Sequence, residues 1–200
     1  MLMANQSRRA AAWCLVLTLL AISPALAEPR PPFVAAARAQ IGKTLIYDPA
    51  YQRIAFPNGD VPEERGVCTD VVIRALRVAY GYDLQRELNA DIRKKPSAYP
   101  RRWGLRGADT NIDHRRVPNQ QAFFRRKGWE LPVTQEPKDY RAGDLVTQML
   151  PGTLPHIAIV SDRVSADGRP LVIHNIGAGA REEDTLFAFP ITGHYRFVKL

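Results

Sequence analysis

The sequence predicts an α+β domain in which helices from the first half pack on an antiparallel sheet from the second. Three observations predict it. Up to Lys127 the apolar residues recur at helical spacing. After Gly143 the pattern changes to period two and becomes rich in β-branched residues. Between two of those later runs stands Asp167-Gly168, a hairpin signal. Helices first and strands second argue against repeated β-α-β units and for segregated layers.

The 200 residues divide into three parts. Met1 to Ala27 is expected to be a secretory signal. Arg8 and Arg9 give a positive start, Ala10 to Ile22 is a short apolar run, and Ala25-Leu26-Ala27 has the form of a cleavage site. That run falls short of the ~18–20 apolar residues that span a bilayer, so no stable membrane span is expected. Glu28 to Pro32 is a proline-rich tether, and residues 33–200 form one domain. With 46% apolar and 24% charged residues, the chain has enough apolar surface to fold without disulfides or metal.

Phe33 to Ile41 reads as a short helix stopped by Gly42, and Thr44 to Val67 as mostly loop. The clearest helix opens at Cys68: Cys68, Val71, Val72, Ala75, Leu76 and Ala79 form one apolar stripe, and Gly81 ends it. Asp83 caps the next, with Leu84, Leu88 and Ile92 on one face. Lys95 to Pro118 has no regular period, as in a functional or a disordered loop, and holds several arginines. Asn119 to Lys127 is a further helix. Strands are expected at Asp144 to Leu150, His156 to Ser161, Leu171 to Asn175 and His194 to Val198.

Loss of the signal removes two arginines and Cys14, so the net charge falls from +8 to +6 and Cys68 becomes the one thiol. An unpaired cysteine in an oxidising compartment is either inert and buried or reactive. At the first turn of a helix, free N–H groups and the helix dipole favour a thiolate, so Cys68 is expected to ionise readily. The same N–H groups suit a developing oxyanion. Alternation puts His156 with Ala158 and Val160, and His174 with Val172. If Asp167-Gly168 closes a hairpin, the two imidazoles project from one face. Thiolate, imidazole and an orienting polar group make a nucleophilic triad.

The order of Cys68 opening a helix, Gly143-Asp144-Leu145-Val146, His156-Ile157-Ala158-Ile159-Val160 and Val172-Ile173-His174 resembles the NlpC-type papain-like cysteine peptidases. Ala39-Gln40-Ile41-Gly42 with Tyr47 is similar to the Gly-x-Pro-Tyr segment of that family. More closely, Gly66-Val67-Cys68-Thr69-Asp70, the run from Asn111 to Asn119, and His174-Asn175-Ile176-Gly177-Ala178-Gly179 resemble the YijF-like exported family of Gram-negative bacteria, a domain of unknown function. The resemblance implies a papain-like fold, a periplasmic location and action on peptidoglycan or another wall-derived peptide. It implies Cys68 as nucleophile, His156 as base and His174 as orienting group, with Tyr47 near the nucleophile. Val67 and Thr69-Asp70 depart from the Asp-Cys-Ser-Gly of the wider family.

Further contacts are expected from Asp70, which could hold a substrate amine, and from Asp113, His114, Arg115 and Arg116, whose arginines could hold a carboxylate. The basic balance suits an anionic partner. Export argues against nucleic acid, as does the lack of a basic run interleaved with aromatics. No cofactor is expected. Two other readings stay open: a zinc hydrolase with ligands from Asp113, His114, His156 and His174, and a non-catalytic wall-binding module on a papain-like shell. Oligomeric state is not legible.

Overall fold

A computed structural model describes residues 32–100, 103–104 and 107–198. The expected signal segment 1–27 and most of the tether lie outside them. Pro32 does not end the tether but opens α1 (Pro32–Arg38), where proline's fixed φ and missing N–H are tolerated. Phe33, Val34, Ala36 and Ala37 bury its inner face.

The helix α2 (Cys68–Tyr80) begins and ends at the expected residues. Gly81 adopts φ 62°, and its N–H bonds the Arg77 carbonyl while that of Tyr82 bonds Leu76. That left-handed stop favours glycine. The next, α3 (Leu84–Lys94), is capped by Asp83, whose carboxylate accepts from the Gln85 and Arg86 N–H groups. A 3-10 turn at Asp113–Arg115 leads into α4 (Val117–Arg126). This helix starts two residues before the expected Asn119, because Pro118 sits in a first turn that needs no N–H partner.

A six-stranded antiparallel sheet follows. Its members are β3 (Glu130–Leu131), β4 (Leu145–Leu150), β5 (Leu154–Val164), β6 (Pro170–Asn175), β7 (Ala180–Glu183) and β8 (Ile191–Tyr195), in the order β3-β8-β4-β5-β6-β7. A separate parallel pair, β1 (Ile46–Tyr47) and β2 (Arg65–Gly66), lies within the segment read as loop. Two-residue strands carry no periodic signal, and β7 is mostly charged. The last strand starts three residues before the expected His194 and ends at Tyr195 rather than Val198. Its Gly193 is imposed by packing, since a Cβ there would sit 2.3 Å from the Tyr195 hydroxyl.

Both faces of the sheet are covered. Leu145, Ile157, Ile159 and Ile173 pack on α1, α2 and α4 residues, while Val146, Ala158, Val160 and Val172 pack on Leu186 and Tyr140. Each fully buried Ile or Val side chain adds roughly 1.5–3 kcal/mol. The structure is thus α+β, with N-terminal helices on a larger C-terminal antiparallel sheet. Among the described residues, no helix is long and apolar enough to cross a membrane.

One register feature positions the site. The β5–β6 ladder reaches only to Ile159↔Ile173 at the end nearer His156. Beyond it the Gly66–Cys68 segment comes in: the Asn175 Nδ2 donates to the Gly66 carbonyl at 3.0 Å, and the Ile157 N–H faces the Cys68 sulfur.

Candidate functional site

Cys68 is anchored by what precedes it. Tyr47 pairs with Gly66 across β1 and β2, so a tyrosine stands beside the start of α2. Arg74, one helical face further on, staples the intervening loop. Its guanidinium donates to the Asp60 carboxylate, the Thr44 hydroxyl and the carbonyls of Val61, Pro62, Glu63 and Arg65. The Asp70 carboxylate reaches back to the Val67 N–H at 2.6 Å, satisfying one orphan donor of the first turn.

Cys68 is only 5% exposed, yet it forms part of the wall of a cleft of about 310 Å³. Tyr47, Trp103, Arg115, Arg116 and Pro155 share that wall. The backbone N–H groups of Ile157, Thr69 and Cys68 itself favour the thiolate, but burial outweighs them and pushes the thiol up to about 11. The expectation of a readily ionised thiol is therefore corrected. Desolvation penalises a buried anion more than the helix start favours it.

His156 and His174 do project from one face of neighbouring strands, as alternation required. The His156 Nε2 lies 2.9 Å from the His174 Nδ1. The His174 Nε2 lies 2.9 Å from Glu183 Oε2. Burial, with the neighbouring His174 second, lowers His156 to about 3; burial lowers His174 too, against the raising influence of Glu183. Both rings are neutral at pH 7. Among the described residues, neither ring hydrogen-bonds to the sulfur. The closest link is sequential: Ile157, whose N–H faces the sulfur, follows His156 directly. Catalytic hydrogen bonds are often long before substrate arrives.

The other expected contact residues separate into groups. Asp70 and Arg115 form a bidentate pair at 2.8 and 2.9 Å, with both side chains almost fully buried. Arg115 also donates to the carbonyls of Asp48 and Ala50, fixing the strand of chain after Tyr47. Neither charge of the pair is left open to a ligand. Asp113 accepts from the Asp109 N–H and from Arg116, and lies on a larger neighbouring cleft of about 760 Å³. His114 is buried and held neutral, lowered to about 4 by burial and then by Arg115. Arg116 borders both clefts, stacked 4.1 Å above Trp103. Among the described residues, no three His, Cys, Asp or Glu side chains form a group that could hold a metal. The four residues of the zinc reading do not converge.

Sequence reasoning missed Glu183. Its only signal was the alternation of Arg181 with Glu183, invisible without the register of β7. His194, in the last expected strand, lies 2.8 Å from Asp144, which Arg196 also clasps, and stacks on Tyr140.

A family model, the domain of unknown function DUF1287, matches residues 34–197. The chain belongs to the DUF1287 family. The DUF1287 match spans every residue discussed above from Tyr47 to Glu183. The chain is 55% identical to the uncharacterized protein YijF of Escherichia coli (strain K12) over 161 residues, which cover 80% of this chain and 78% of YijF.

Proposed function

We propose that the chain is an exported cysteine amidohydrolase that cuts peptide amides of the cell wall, on the papain-like, NlpC-type scheme its motifs resemble. One observation carries the reading: a cleft-lining cysteine opens a helix next to a strand whose histidine is hydrogen-bonded to the histidine of the next strand.

In this scheme the Cys68 sulfur attacks the amide carbonyl. His156 takes the thiol proton as the C–S bond forms, and the Cys68 N–H helps hold the oxyanion. The protonated imidazole then donates to the leaving amine, giving a thioester. A water enters and adds to the thioester as His156 accepts its proton; the C–S bond breaks to release the carboxylic acid, and His156 returns the proton to the departing sulfur. His174 holds the His156 ring throughout. Because the resting pair is neutral, the proton moves together with nucleophilic attack rather than before it. Arg116, whose Nη1 donates to Asp113 and whose other guanidinium nitrogens make no hydrogen bond among the described residues, suits a substrate carboxylate. Tyr47 stands where its hydroxyl could meet the substrate.

Purified sacculi incubated with wild type should release soluble peptides, and Cys68→Ala should release none. Equal release by both would overturn the reading. A second reading has one observation in its favour, the raised thiol: the shell binds wall polymer without cutting it. Wild type that sediments with sacculi but liberates nothing would favour that reading.

A further inference from the structure

We infer that Glu183 is a positioning residue that sets the tautomers of two successive imidazoles, leaving the lone pair of His156 on Nδ1. In assigning that lone pair to the Cys68 proton, the inference rests on the reading above; the tautomers themselves do not.

The argument runs inward from solvent. Glu183 is a carboxylate on β7, and an ionised carboxylate only accepts hydrogen bonds. Its Oε2 stands 2.9 Å from the His174 Nε2, so that nitrogen carries the proton and donates it. A neutral imidazole has one N–H, so the His174 Nδ1 is left as an acceptor. That Nδ1 stands 2.9 Å from the His156 Nε2. The His156 Nε2 must therefore be the donor, and its Nδ1 has no proton. Nδ1 is the ring nitrogen nearer its own backbone, and the next backbone N–H, that of Ile157, faces the sulfur. Among the described residues, the one ring nitrogen left with a lone pair and no donor is therefore the His156 Nδ1.

Pairing geometry explains how a residue two rings away holds this role. Val172 stands opposite Glu183 in the β6–β7 ladder, and His174 follows Val172 by two, so Glu183 and His174 are diagonal neighbours on one face. The His174 side chain has no exposure, whereas that of Glu183 is 34% exposed. The carboxylate keeps partial contact with water while it accepts from a ring fully removed from it. With the Glu183 acceptor removed, the His174 tautomers lose their bias, and the pair can invert so that the His156 Nδ1 carries the proton and has no capacity to accept another.

Long-range proton–nitrogen correlation spectra of the whole protein, with 15N-labelled histidine at neutral pH and no substrate, read the tautomers directly. In wild type both His156 and His174 should carry the proton on Nε2, in about tenfold excess or more over the other form. Glu183→Leu should reduce that excess to a mixture, and Glu183→Gln, whose amide oxygen still accepts, should restore it. Two outcomes overturn the inference: a proton on the His156 Nδ1 in wild type, or a Glu183→Leu spectrum with the wild-type tautomers. The wild-type spectrum decides even if a variant fails to fold. Predicted tautomers with intact sacculi would defeat the amidohydrolase reading alone, and inverted tautomers with digested sacculi would defeat this inference alone.

Discussion

A thiol in the first turn of a helix is pulled two ways: orphan N–H groups stabilise its anion, and loss of water destabilises it. At Cys68 the second effect wins. Alkylation of Cys68 by iodoacetamide should therefore be slow at neutral pH and keep rising toward about pH 11; a plateau already reached near neutrality would show that the helix start prevails. Arg115 and Asp70 form the other decisive residue pair. Arg115→Met leaves a buried carboxylate without its cation, which costs about 3–5 kcal/mol and lowers Tm by on the order of 10 °C. Denaturant titration measures the first and calorimetry the second. Loss below about 1 kcal/mol would mean that Asp70 finds water instead. Cys68, His156 and His174 could be singled out from local spacing alone, because a helix start and a strand alternation are local facts. The Asp70–Arg115 pairing could not, since the two residues come from separate elements and meet only in the folded chain.

At the scale of elements, the helices and four central strands were legible because each has its own period and stop signal. Gly81 and Asp83 announce their boundaries chemically. The edges were not legible. The β1–β2 pair depends on Arg74 gathering the carbonyls of the loop between them, a long-range arrangement with no counterpart in the loop's own sequence. Arg74→Met should speed amide exchange across residues 59–66 more than elsewhere, and should shift the Tyr47 resonances with them. Exchange unchanged in that segment would show that the β1–β2 pair holds the loop unaided.

For the molecule as a whole, three buried histidines make stability depend on pH. His114 and His156 are held near 4 and 3, and His174 is also lowered, all chiefly by burial. In the unfolded chain each titrates near ~6.5. Between those values the unfolded chain binds more protons, so stability is complete above about pH 6.5 and falls as the pH drops, by up to about 1.4 kcal/mol per unit for each ring. Urea midpoints should decline steadily from neutral to about pH 5, and His114→Gln should flatten the decline. A midpoint indifferent to pH over that range would mean the rings are solvated in the folded state. The balance of layers was legible from the change of period at Gly143. The second covered face was not, because Tyr140 and Leu186 come from segments with no regular pattern.

Glu182 and Glu183 are chemically alike and adjacent, yet they work on opposite sides of β7. Glu182 binds Arg38, Arg163 and Ser161, while its neighbour meets His174. Which carboxylate performs which task is decided by the length of the connection between Asn175 and Ala180. A one-residue slip of β7 against β6 would turn each of its side chains to the opposite face, parting Glu183 from His174 and Glu182 from Arg38, without altering a single side chain. Within this chain a short turn governs proton placement as firmly as the rings that carry the protons.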